Sequence, residues 1–205
     1  MNATASNALA IVDGGGANIA SLKFALARLG VAGELTTDAG RIRDAARVIL
    51  PGVGAARDAM TRLRESALDQ VIPALTQPVL GICLGLQLLF DGSEEADTDC
   101  LGILPGTARL FEADADHTVP HMGWNRVWQT PGSGLLAGIP DGAQFYFVHS
   151  YAVPVTDFTT GRCEYGREFS AVVERGNFVA TQFHPERSGR HGARVLANFL
   201  ELSPA

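Results

Sequence analysis

The segment Pro78-Val79-Leu80-Gly81-Ile82-Cys83-Leu84-Gly85-Leu86-Gln87 constrains the fold of this chain more than any other. An apolar run enters Cys83 and a helical pattern leaves it, with no turn residues between. A strand can pass so abruptly into a helix only where side chains two positions either side of the corner are missing, and Gly81 and Gly85 meet that condition. A short strand that is apolar along its whole length is buried on both faces, which belongs to a parallel sheet covered by helices.

The N-terminal half repeats the same unit. Residues 9–12, 31–35, 48–50 and 78–82 read as strands. Helical spacing over 19–29, over 55–75 with a break near Ser66, and over 84–90 separates or follows them. This rhythm predicts a mostly parallel central sheet with helices on both faces. Beyond residue 105 the pattern changes. Residues 106–111, 124–129, 144–153, 162–165, 170–174 and 178–183 read as strands divided by turn residues, an antiparallel extension of the sheet, and 192–200 reads as a closing helix. The acidic stretch 93–99 reads as a mobile solvated loop. A length of 205 residues fits one α/β domain, 1–205.

Composition narrows the function classes. Hydrophobic residues make up 46% and charged residues 19%, with a net charge of −6, which excludes disorder as the main state. No basic stripe is present to neutralise phosphates, so nucleic acid is not an expected partner. No stretch approaches the ~20 apolar residues that span a bilayer. Cys83, Cys100 and Cys163 form no paired spacing, which argues against a disulfide framework or zinc site and for a reducing cytoplasm. His117, His121 and His149 are dispersed and read as turn or interface residues, so no metal or other cofactor is expected.

A cysteine at the start of a helix meets free N–H groups and the positive end of the dipole, both of which favour a thiolate. A Gly-flanked cysteine alone is equally a buried structural thiol; the surrounding residues decide. Phe178-Val179-Ala180-Thr181-Gln182-Phe183 reads as a strand leading into His184-Pro185-Glu186. A thiol nucleophile needs a base, and the base needs an acceptor on its other ring nitrogen. Pro185 biases His184 toward extended backbone, and a spacing of two in extended geometry puts His184 and Glu186 on one side of the chain. After the third strand, Pro51-Gly52-Val53-Gly54 can present backbone N–H groups to the oxyanion that Leu84 N–H would also meet. Its glycines permit peptide rotation, so this loop is expected to flip between resting and active forms.

Taken together and in this order, PGVG, GICLGLQ and QFHPE resemble the class I (triad) glutamine amidotransferases over nearly the whole chain. Pro120-His121-Met122-Gly123-Trp124-Asn125 and Phe145-Tyr146-Phe147-Val148-His149-Ser150-Tyr151 are similar to the glutaminase subunits of imidazole glycerol phosphate synthases, as are Ile11-Val12-Asp13 and Asn18. The resemblance implies hydrolysis of L-glutamine to glutamate and ammonia. The ammonia would pass to a (β/α)8 cyclase subunit, in a heterodimer that makes imidazole glycerol phosphate and aminoimidazole carboxamide ribotide for histidine biosynthesis. It also implies roles: Cys83 as nucleophile, His184 as general acid and base, Glu186 as its orienter. Gly52, Val53 and Leu84 would form the oxyanion site, and Gly54, Gln87, Ser150 and Tyr151 would hold glutamine. Met122, Gly123, Trp124, Asn125 and Arg187 would face the cyclase. Gly14 departs from the aromatic residue usual in the family, and Arg187 from the usual lysine. The alternatives left open are a glutaminase serving another acceptor synthase, such as anthranilate synthase, and an inactive relative that scaffolds a synthase.

Overall fold

A computed structural model describes residues 8–15 and 19–203; Asn18 lies outside them. Strands β1 (Leu9–Val12), β2 (Gly33–Thr36), β3 (Arg47–Gly52) and β4 (Val79–Cys83) alternate with helices α1 (Ile19–Arg28), α2 (Ala39–Asp44), α3 (Ala56–Glu65) and α4 (Leu68–Val71). Helix α5 (Leu84–Leu88) follows β4 without a gap. Then come β5 (Phe90–Ser93), β6 (Thr98–Asp99), β7 (Leu104–Leu110), β8 (His121–Gln129), β9 (Ala143–His149), β10 (Tyr151–Ala152), β11 (Thr159–Tyr165), β12 (Arg167–Arg175) and β13 (Phe178–Thr181), before the last helix, α6 (Gly189–Glu201).

Nine strands form one sheet in the order β2-β1-β3-β4-β13-β12-β11-β8-β9. The strands from β2 to β13 in that order are parallel, and those beyond pair antiparallel. Helices cover both faces. Leu22, Leu26, Val195, Leu196 and Phe199 of α1 and α6 pack with Leu80 and Ile82 on one side. Ile42, Met60, Leu63 and Val71 of α2, α3 and α4 pack with Val79 and Leu86 on the other. In α3 the buried positions Ala56, Ala59, Met60 and Leu63 follow helical spacing. Each buried Leu, Ile or Met stabilises the layer by about 1.5–3 kcal/mol.

The consequence for the site lies in the centre of the sheet. Strand β4 is flanked by β3 and β13, with Gly52 opposite Cys83 and Thr181 opposite Ile82. The carboxyl ends of three neighbouring strands therefore converge where ligands bind in such sheets. Helix α6 fixes the third of them, because Gly192 allows it to close on the segment after β13: a Cβ there would lie 1.9 Å from Pro185 O.

Several expectations change. The helix after Cys83 stops at Leu88, since Phe90 is fully buried in β5 and paired with Leu104; a continuous apolar run does not separate helix from strand. Residues 93–99 are solvated at Glu94, Ala96, Asp97 and Asp99 but are not a free loop. They form a turn joining the paired strands β5 and β6, with Ser93 and Thr98 buried. The span 144–153 is broken at Ser150, where the chain leaves β9 and enters β10 of a separate four-stranded sheet, β10-β7-β5-β6. Helix α2 was not expected; its signal is Asp38, whose carboxylate accepts from Arg41 N at 2.9 Å as an N-cap.

Candidate active site

Cys83 holds φ 54° and ψ −107°, a backbone conformation that side-chain-bearing residues rarely adopt. The glycines explain how the corner closes. A Cβ on Gly81 would lie 2.8 Å from Gly85 O, and one on Gly85 would lie 1.9 Å from Leu50 O. The chain thus turns from β4 into α5 at the one residue whose side chain then projects from the end of the strand, and Cys83 is 7% exposed.

From β13 the chain brings His184, 4% exposed, and Glu186 to the same place. His184 Nδ1 and Glu186 Oε1 are 2.9 Å apart, which leaves Nε2 for Cys83. The expected extended spacing is not how they meet. His184 is extended at φ −94° and ψ 99°, but Pro185–Arg187 is a 3-10 turn that curls the carboxylate back under the ring. Burial, the largest influence on His184, works against its charge. Hydrogen bonds to Cys83 and Glu186, and the negative charge of both, outweigh it and raise its pKa from 6.5 to about 10. Because that value is raised, the imidazolium adds stability that is complete below 6.5 and lost as pH rises through about 10.

Cys83 and His184 open onto a cavity of about 510 Å³. Val53, Gly54, Leu84, Gln87, Ser150 and Tyr151 line it, six of the positions expected to touch substrate. Gly52 does not. It lines a narrow cleft of about 20 Å³ behind the histidine, together with Gly14 and Glu186, and its backbone abuts Leu84, whose Cβ would lie 2.8 Å from a Cβ at Gly52. Glu95 also lines the large cavity, with Oε2 accepting from Ala56 N at 2.7 Å. Gln87 is committed more than expected: its Nε2 donates to Tyr151 O at 2.8 Å and to Gln182 Oε1 at 3.1 Å.

Arg187 also lines the cavity, and on β8 Met122 and Trp124 are 66% and 54% exposed. Trp124 meets the Tyr146 ring edge-on at 6.1 Å, and the Arg187 guanidinium lies 4.7 Å over that same ring. Gly123 adopts φ 141° between them. Asn125 does not belong to this exposed face. Strand alternation turns it inward, where Nδ2 donates to Glu164 O at 2.9 Å and lies 3.3 Å from His121 Nε2. His121 and His149 are likewise not separate turn residues: His121 Nδ1 and His149 Nε2 are 3.0 Å apart and both rings are buried. Burial pushes their pKa values down to about 4 and about 3, so both are neutral at pH 7. His117, by contrast, pairs with Asp114 at 2.9 Å. Among the described residues no cluster of three or more His, Cys, Asp or Glu is placed to hold a metal ion, and no helix is long and apolar enough to cross a membrane.

A strained thiol at a strand–helix corner, beside a histidine and its carboxylate just past the end of the next parallel strand, defines a class of protein. The chain belongs to the class-I glutamine amidotransferase family, whose model matches residues 10–202. Within it, the chain is similar to proteins named imidazole glycerol phosphate synthase subunit HisH. That of Xanthomonas campestris pv. campestris (strain 8004) is 53% identical over 95% of this chain and 98% of its own. That of Xylella fastidiosa (strain Temecula1) is 51% identical over 96% and 98%. The fold is shared with a solved glutamine amidotransferase, at TM-score 0.72 and 18% identity over 94% of this chain and 97% of that one. It is also shared with PurLQS from Thermotoga maritima, at TM-score 0.64 and 20% identity over 95% and 98%.

Proposed function

We propose that this chain, as one amidotransferase domain in the cytoplasm, is the glutaminase subunit of an imidazole glycerol phosphate synthase. It hydrolyses L-glutamine to L-glutamate and ammonia, and delivers the ammonia to a (β/α)8 cyclase subunit in histidine biosynthesis. The observation that carries this reading is the Cys83–His184–Glu186 constellation at the cavity, with its 2.9 Å histidine–carboxylate bond. The HisH relatives support the choice of synthase.

The chemistry follows from the residues. Below pH about 10, His184 Nε2 holds the proton of the Cys83 thiol, and the sulfur anion attacks the side-chain amide carbon of glutamine. The resulting oxyanion is met by backbone N–H groups of Val53 and Leu84, with Gly52 shaping their approach. As the C–N bond breaks, His184 returns the proton to the departing nitrogen, leaving ammonia and a glutamyl thioester on Cys83. Water then attacks the thioester, giving its proton to His184, and glutamate leaves with the thiol restored. Glu186 holds the imidazole and its charge throughout. Gly54, Gln87, Ser150 and Tyr151 hold the substrate, Gln87 through its carbonyl oxygen because its amide N–H groups are engaged. Glu95 supplies the carboxylate for the α-ammonium group.

Activity needs the protonated histidine beside the thiolate, so the alkaline limb of the glutaminase profile falls as pH rises through about 10. Glu186→Gln removes a negative charge that holds the proton, and the limb moves down by about 1–2 pH units. A pH–rate series on both proteins reads this directly; an unmoved limb contradicts the role of Glu186.

Met122, Trp124 and Arg187 form the docking face for the cyclase. Trp124→Ala weakens the complex about 10- to 100-fold, as expected for a central aromatic anchor, with the change measured by calorimetry. Co-purification with the cyclase, followed by a glutamine-dependent synthase assay, tests the reading as a whole. Recovery of a chorismate-using partner instead would reassign the acceptor.

A further inference from the structure

The hydrogen bonds behind Cys83 fix the orientation of a side chain that the triad chemistry does not use. Gln182 is fully buried. Its backbone N–H is taken by Ala171 O at 2.8 Å, and its Nε2 lies 3.7 Å from Cys83 Sγ. Which end of an amide faces a neighbour is decided by the partners around it, and here they leave one answer. Tyr151 O is a carbonyl and can only accept. It is met at 2.8 Å by Gln87, so the Gln87 atom facing it is Nε2. The same Nε2 lies 3.1 Å from the Gln182 amide and must donate to it, so the Gln182 atom facing Gln87 is Oε1. Gln182 Nε2 is then left pointing at the sulfur.

We infer that Gln182 is a further catalytic residue of the glutamine-hydrolysing reaction: its side-chain amide donates to the Cys83 sulfur and stabilises the thiolate that attacks. The inference rests on the reading of Cys83 as nucleophile. A further polar neighbour of the sulfur, besides His184, makes the role specific. Val148 O lies 3.7 Å from Cys83 Sγ. A neutral thiol can donate to that carbonyl, whereas a thiolate is repelled by it. When the thiol proton moves to His184, the sulfur exchanges a donor role toward Val148 for an acceptor role toward Gln182. A hydrogen bond to a charged group is stronger than one between neutral groups, so the amide favours the charged form over the neutral one. Gln87 and Tyr151 keep it from turning its oxygen inward. The same chain of donors ties the substrate-lining residues Gln87 and Tyr151 to the nucleophile.

Gln182→Met keeps the length of the side chain and removes the donor. In the full chain, iodoacetamide alkylation of Cys83, followed by peptide mass spectrometry across a pH series, reads the thiolate fraction. The expected result is a midpoint raised by about one pH unit and alkylation about tenfold slower at pH values below both midpoints, with kcat falling in step at those pH values and little change in KM for glutamine. A residue that only fills the core leaves the alkylation midpoint where it is in the parent, and that result overturns the inference. A second measurement needs no folded variant at position 182. The side-chain amide protons of Gln182 are followed by NMR during pH titration of the parent protein and of Cys83→Ala. They are expected to shift with the titration of Cys83 and to be insensitive in the variant; protons that do not respond in the parent overturn the inference as well. If a glutamine-analogue electrophile fails to label Cys83 in the parent, the reading of the nucleophile itself falls. If it labels Cys83 while Gln182→Met leaves the midpoint unmoved, only the role of Gln182 falls.

Discussion

Cys83→Ala is expected to lower glutamate release by about 10⁴-fold or more, the scale on which removal of a nucleophile acts when base and oxyanion groups cannot replace it. The synthase reaction of the complex run on ammonium salts in place of glutamine should be unchanged. The substitution removes the sulfur from a 7% exposed site and leaves the central strand that carries it in place. The two assays together separate loss of chemistry from loss of structure. Residual glutamine turnover within about tenfold of the parent would remove Cys83 from the reaction.

The second large effect is on stability. A methyl group added at Gly85 would sit 1.9 Å from Leu50 O. That atom is backbone in the middle of β3, paired on one side with β4 and on the other with β1, so it cannot yield as a flexible side chain would. Gly85→Ala is expected to cost about 3 kcal/mol or more, at or beyond the upper end of overpacking penalties. For a chain of this size that lowers Tm by roughly 6 °C or more. A thermal melt followed by circular dichroism measures it. A Tm within 2 °C of the parent, a change of about 0.5–1 kcal/mol, would mean that α5 can move off β3 and that the corner at Cys83 is looser than its glycines imply.

The strand–helix corner was legible in the sequence because it is a local steric problem. Gly81, Cys83 and Gly85 stand within five residues, and only one kind of turn needs glycine at both flanks. The pairing of His184 with Glu186 was legible as a short-range pattern, although the 3-10 turn that brings them together was not, since Pro185 is compatible with either geometry. Glu95 was hidden. It sits in an acidic run whose composition suggests solvent, and only the pairing of β5 with β6 carries it to the cavity wall. Gln182 was hidden for a different reason. A polar residue at a buried strand end has no local signature, and its contact with Cys83 spans 99 residues of chain. The inward turn of Asn125 and the His121–His149 pair depend on the register of β8 against β9, where His121 faces His149. Single-strand alternation alone does not fix that register.

The most direct test of the account is chemical labelling of the parent protein with an electrophilic glutamine analogue, with every cysteine peptide read by mass spectrometry. Burial pushes the Cys100 thiol up to about 11 and the Cys163 thiol up to about 12, so both are protonated and unreactive at neutral pH. The predicted result is one adduct, on Cys83, that forms in step with loss of glutaminase activity and is prevented by excess glutamine. Inactivation without an adduct on Cys83, or an adduct on Cys83 that leaves glutamine hydrolysis intact, would contradict it.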